Sequence, residues 1–225
     1  DDGTFKADGQ MTRLEFLKAV VCSLKTEAEI DSLLAEARQT DLFDTGSTYG
    51  YYASYIDKTL KDGGINQTAD NFWGTRYMIA SDLMQLTDGL GYHTTGMVGN
   101  QIGWSMPVTR EEAAGLMYNA CIKIRGENLP EAKGIHNIIS DYKAIASDKA
   151  IMIGKLISNG LIAGVDNNYT FAPKQTLKRS EACAIIARIT DQNRRLSAPT
   201  VPEDKQEYIK HDAERDITYH NPVTG

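Results

Sequence analysis

No run in this 225-residue sequence approaches the roughly 20 unbroken apolar residues that a membrane-crossing helix needs. Membrane insertion is therefore not expected. Cysteine is scarce, with only Cys22, Cys121 and Cys183. An odd number cannot complete a disulfide framework, and no two have metal-ligand spacing. Each lies in an apolar helical stretch, where a small buried hydrophobe fits. A basic excess is missing too: the formal charge of −6 argues against broad nucleic-acid binding. It leaves room for an anionic partner only where a few cations are gathered. The histidines His93, His136, His211 and His220 show no metal spacing. There is no Gly-rich phosphate loop, His-Glu-x-x-His helix or Gly-x-Ser-x-Gly elbow. A glycosidase needs two carboxylates facing across a cleft, and no loop carries an acidic pair in an apolar setting. No catalysis, metal or organic cofactor is expected of this chain. Nothing reads as a leader peptide, because Asp1 falls in what looks like the middle of a loop. The chain is accordingly expected to begin inside a longer protein or after processing.

What the sequence does contain is a repeat. Three segments align without gaps, starting at Met11, Val108 and Leu177. Arginine recurs as Arg13, Arg110 and Arg179, and glutamate two places later as Glu15, Glu112 and Glu181. Apolar residues follow at helical spacing, Phe16 with Val20, Ala113 with Met117, and Ala182 with Ile186. A Thr-Phe pair precedes two of these helices and puts Phe5 and Phe171 eight residues before their arginines. The middle copy has Ile102 there, followed by Trp104.

A second helix type precedes these loops, within Leu42 to Ile65 and Ile138 to Ile162. Each opens near an aspartate, Asp44 or Asp141, and ends on a glycine stop, Gly64 or Gly160. A unit of helix, loop and helix cannot bury its apolar face alone and must pack on its copies.

Met11-Thr12-Arg13-Leu14-Glu15 and Val108-Thr109-Arg110-Glu111-Glu112, with the Asp-Gly-Thr-Phe loop and the Gly-(Leu/Ile) helix end, resemble the S-layer homology family. Leu177-Lys178-Arg179-Ser180-Glu181 follows the same pattern with lysine for threonine. The resemblance spans roughly residues 1–190. It implies a mainly α fold of three helix-loop-helix repeats in a pseudo-threefold, three-pronged spindle. The repeat domain is expected over 1–194, with repeats at 1–41 (truncated), 42–125 and 136–194. Residues 195–225, with Pro199 and Pro202, read as a linker and the start of a following segment. The implied function is a non-catalytic anchor that holds a secreted protein to the wall of a bacterium, most simply a Gram-positive one. The implied partner is an anionic, pyruvylated secondary cell-wall polymer, or else modified peptidoglycan. The alternative is a protein-interaction or self-assembly module of a surface layer.

The residues themselves carry two readings. Thr12 with Glu15 and Thr109 with Glu112 fit the capping box, which explains these glutamates without a ligand. An arginine in the first helical turn opposes the macrodipole, so three of them suggest a compensating use. That use is an internal ion pair or an anionic ligand gripped by the two-pronged guanidinium. The resemblance implies the ligand and makes Arg13, Arg110 and Arg179 the first candidates. Asp2, Gly3, Gly164 and Asp166 follow as loop candidates, although a turn requirement explains them equally. One or two grooves are expected to bind, the first foremost. Tyr49, Tyr51, Tyr52 and Tyr55 are expected to pack in the core, and Trp104 to wall a groove.

The pattern breaks in the second copy. Ninety-seven positions separate Arg13 from Arg110, against 69 from Arg110 to Arg179. The excess includes a helical pattern through Met78, Ile79, Leu83 and Leu86, read here as an inserted helix. The first copy lacks its opening helix, which lies upstream or is supplied by the helix-compatible segment 203–215.

Overall fold

A computed structural model describes residues 4–40, 46–90, 97–98 and 101–206. The fold is mainly α. Its helices are α1 (Arg13–Leu24), α2 (Glu27–Gln39), α3 (Thr48–Asp62), α4 (Thr75–Leu83), α5 (Arg110–Asn119), α6 (Ser147–Ser158) and α7 (Arg179–Thr190). A two-residue antiparallel pair, β1 (Met97–Val98) with β2 (Gln101–Ile102), is the one paired ladder described.

The three arginines each open a helix, and local chemistry says why. Thr12 accepts from the Glu15 amide while Glu15 accepts from the Thr12 amide, a full capping box. Thr109 and Glu112 repeat it, and Thr26 and Glu29 form a third box at the start of α2. At α7, Glu181 accepts from the Lys178 amide at 2.9 Å, but lysine has no acceptor to return the bond.

The residues just before these helices close a ring. Met11 donates its amide to the Leu177 carbonyl at 3.1 Å, Leu177 to Val108 at 2.9 Å, and Val108 back to Met11 at 2.9 Å. Two residues on, the arginine amides continue the cycle: Arg13 to Met106, Arg110 to Gln175, and Arg179 to Gly9, all at 2.8–2.9 Å. Each entry also makes the same turn, Gly9 to Lys6, Met106 to Gly103 and Gln175 to Ala172. The middle loop thus keeps the backbone turn without the Thr-Phe pair. Lys6 and Ala172, at equivalent places, share φ values of 50 and 55. Around this ring α1, α5 and α7 pack on one another, and Leu14, Phe16, Leu17, Val20, Leu116, Met117 and Ile185 fill the core. That core is where most of the apolar surface leaves water, and it holds the three helix starts at fixed spacing.

One expectation changes. The stretch that reads as an inserted helix, α4, lies on α1 as α6 lies on α5. It ends alike too: Asp88-Gly89-Leu90 and Asn159-Gly160-Leu161 carry glycines with φ of 68 and 67. Asn119, nine residues after Arg110, donates to the Leu86 and Asp88 carbonyls at 2.9 Å, and Arg188, nine after Arg179, reaches the Leu161 carbonyl. By packing, then, α4 is the opening helix that leads to Arg110, and α2 with α3 form the added hairpin. Leu60 before Gly64 has the same local stop signal as the true helix end, so the stop alone misassigns α3. Of the segment considered as a substitute first helix, Glu203–Lys205 forms a short 3-10 turn whose Lys205 carbonyl accepts from Asn137 at 2.8 Å; residues 207–215 lie outside the described residues.

Candidate functional site

Each motif arginine reaches from its own helix start toward the neighbouring loop, but the three environments differ. Arg13 is occupied. Its Nε and Nη2 hold both oxygens of Glu112 at 3.1 and 2.5 Å, its Nη1 donates to the Gly103 carbonyl at 3.1 Å, and both side chains are only 13% exposed. Burial alone would raise the Glu112 pKa, but the bonds from Arg13 and Thr109 outweigh it and hold the carboxyl below its usual range. Arg179 pairs more loosely with Glu15, through one contact of 3.1 Å, with both groups about a third exposed. Its Nε is buried without a partner, and its guanidinium lies 5.9 Å from the Phe5 ring.

Among the described residues Arg110 has no carboxylate in contact. It is 5% exposed, and its Nε and Nη2 donate to the carbonyls of Phe171 and Ala163, both at 2.7 Å. Its Nη1 makes no hydrogen bond to a described residue. The guanidinium rests 5.2 Å from the Phe171 ring. Burial lowers its pKa, offset in part by the fields of Glu181 and Asp141, while Arg188 pushes the same way as burial. A charge held on neutral carbonyls, with a second guanidinium close by, is electrostatically unsatisfied.

Beside it lies a groove of about 580 Å³ between the 162–165 loop and α7, walled by Arg110, Gly164, Gln175, Lys178, Glu181 and Arg188. Burial depresses the Arg188 pKa too. Lys178 is tied to Asp8 at 2.9 Å on the surface. Gly164 is needed for shape: a Cβ there would sit 2.6 Å from the Tyr169 Cα. The loop behind it is pinned by Asp141, which accepts from the Phe171 and Ala172 amides at 2.6 and 2.7 Å.

The other sequence candidates fall elsewhere. Asp166 spends its oxygens inside its own loop, on the Thr170 hydroxyl and the Asn168 and Thr170 amides, which lower its pKa. It does not line the groove. Trp104 is 3% exposed, its ring 5.4 Å from Phe72, so it is a core residue and walls no groove. The segment leading into α4 covers it, which the loop assignment could not foresee. Asp2 and Gly3 lie outside the described residues. Of the tyrosines, Tyr49 and Tyr52 pack against the core as expected, whereas Tyr51 and Tyr55 are exposed. Sequence reasoning missed Arg188 and Asp141 as parts of this site. Arg188 looks like any basic residue in a last helical turn, where it suits the dipole.

Among the described residues these features define a helical module with recurring arginine-led helix starts and a groove that gathers Arg110, Lys178 and Arg188 with Asp8 and Glu181. Residues 138–183, which include α6, the groove loop and the first turn of α7, match the S-layer homology domain. Such domains are non-enzymatic modules that attach surface proteins to cell-wall polymers, so the chain is placed at the cell surface, in association with the wall. No curated protein and no solved structure matches the chain. Among the described residues no helix is long and apolar enough to cross a membrane.

Proposed function

We propose that this chain is a three-repeat, pseudo-threefold anchoring module that binds an anionic, pyruvylated secondary wall polysaccharide non-covalently on a Gram-positive surface. The proposed binding groove is the one at Arg110. The observation that carries the reading is the buried Arg110 guanidinium, which has no carboxylate partner among the described residues and opens beside a groove that also holds Arg188. A carboxylate ligand would supply the missing counter-charge, and a guanidinium takes it with two-pronged geometry. Arg13, foremost on sequence grounds, already has that geometry with Glu112. Arg110 therefore replaces it as the principal ligand residue, Gly164 shapes the groove wall, and Arg13 and Arg179 serve chiefly as links between neighbouring helix starts.

The test is sedimentation of the chain on purified sacculi, before and after mild acid removal of the secondary polymer and its ketals. Binding is expected to vanish with the polymer and to fall at least about tenfold in both Arg110→Ala and Arg110→Lys, the loss of one charge-assisted contact. Circular dichroism would show that each variant is folded. Binding that survives acid treatment points to peptidoglycan itself. Binding unchanged in Arg110→Lys removes Arg110 from the site.

The two internal arginine pairs favour a second reading, a self-assembly module of a surface layer, because they leave only one open arginine position. Concentration-dependent association in analytical ultracentrifugation, with no affinity for sacculi, would select it.

A further inference from the structure

The added hairpin builds a second concave site, distant in character from the Arg110 groove. A cavity of about 300 Å³ lies between α2, the first turn of α3 and the segment leading into α4. Its wall carries aromatic rings, Tyr49 and Trp73, and short-range polar groups, among them Asp31, Arg38 and Asn71. Trp73 is 49% exposed, although it is large and apolar and touches both Phe72 and Tyr77. The Arg38 guanidinium lies 3.9 Å over the Tyr49 ring, which holds both groups at the rim.

Two polar atoms in the same wall are left without partners. The Thr75 hydroxyl and the Arg76 Nε are buried and make no hydrogen bond, although Arg76 Nη2 meets Glu27 and Asp31 at 2.9 Å. Both belong to the start of α4, where Gly74 offers no side-chain cap. Orphaned buried polar atoms are costly, so two of them at one cavity mark a place where something else completes the bonding.

We infer that this cavity binds one neutral saccharide ring. The lining has two arginines and two aspartates, Asp31 and Asp70, so it offers no net charge to an ion. A pyranose has an apolar C–H face that lies on an indole and an edge of hydroxyls that both donate and accept. Trp73 supplies the platform, Asp31 accepts and the Asn71 amide donates at the edge, the Asn71 Oδ1 being held by the Thr68 amide at 2.8 Å, and the Thr75 hydroxyl turns to a ligand oxygen. A concave, partly apolar pocket with a few converging polar groups is the usual form of a small-ligand site. The inference rests on the hairpin together with the segment leading into α4 and its first turn, and does not depend on the Arg110 reading.

The experiment is calorimetric titration of the whole chain, with tryptophan emission read in parallel, against neutral disaccharides of glucose, galactose, mannose and N-acetylglucosamine. At least one is expected to bind with one site per chain and to shift the emission. Trp73→Ala and Asn71→Ala should weaken it at least about tenfold, while Arg110→Ala leaves it unchanged. Thr75→Val should weaken it about fivefold yet raise the melting temperature, because it removes an unpaired buried hydroxyl. Melting curves identify any variant that fails to fold, and Asn71, on the surface, keeps the test open if Trp73→Ala does. No binding by any disaccharide, or binding that survives both Trp73→Ala and Asn71→Ala, overturns the inference.

Discussion

The glutamates at 15, 112 and 181 are equivalent by sequence, yet the structure ranks them. Replacing each by glutamine removes charge while keeping size. Glu112 holds Arg13 with both oxygens, at 3.1 and 2.5 Å, with both side chains 13% exposed, and also caps the Thr109 amide at 3.0 Å. Breaking a fully buried pair costs about 3–5 kcal/mol, so this slightly open one should cost about 2–3 kcal/mol. Glu15 meets Arg179 through one 3.1 Å contact, with both groups a third exposed, which screening reduces to about 1 kcal/mol. Glu181 touches no arginine among the described residues and caps the Lys178 amide, so its replacement should cost about 0.5 kcal/mol. In a chain of this size each kcal/mol moves the melting temperature by about 2–4 °C. Urea unfolding at pH 7 reads all three. The Glu112 carboxyl titrates below its ordinary value, so its contribution is full above the unfolded glutamate pKa. That contribution is lost as pH falls through the lowered native value, and the gap between the wild-type chain and Glu112→Gln should close in acid. Equal losses in the three variants, or the largest loss at Glu181, would refute the reasoning from ion-pair geometry.

Glu131 should behave in the opposite way. Burial raises its pKa to about 7 against the opposing charge of Lys155. Ionisation therefore costs stability, from about pH 4.5 upward until the group is fully charged above 7. Glu131→Gln should match the wild-type chain at pH 5 and exceed it at pH 8 by about 1–2 kcal/mol after solvent screening, as thermal melts at the two pH values would read. The paired glycines separate strain from space. Gly89 and Gly160 both have positive φ, but a Cβ at 89 meets no described residue within 4 Å, whereas at 160 it would lie 1.9 Å from the Leu196 carbonyl oxygen. Gly89→Ala should cost about 1 kcal/mol and Gly160→Ala more than about 3 kcal/mol in denaturant unfolding; similar costs would mean the 196 segment yields freely.

The repeated helix starts were legible in the sequence because capping and amphipathic spacing are local. Thr12, Glu15, Thr109 and Glu112 cap as their spacing implies, and the arginines at 13, 110 and 179 open their helices. The S-layer homology resemblance rests on that same local pattern. Partnering is different, because it depends on which elements meet. The glycine stops at Gly64 and Gly89 look alike along the chain, and only packing on α1 selects α4 as the opening helix. Trp104 reads as a loop residue until Phe72 covers it. Identical arginines likewise acquire different fates, a two-pronged carboxylate for Arg13, a looser one for Arg179 and bare carbonyls for Arg110. Sequence alone determined where the charged groups sit on their helices, since that is set by a few neighbouring residues. Only the tertiary structure decided which of those charges is already neutralised, since that depends on groups dozens of residues away brought to 3.1 Å or less.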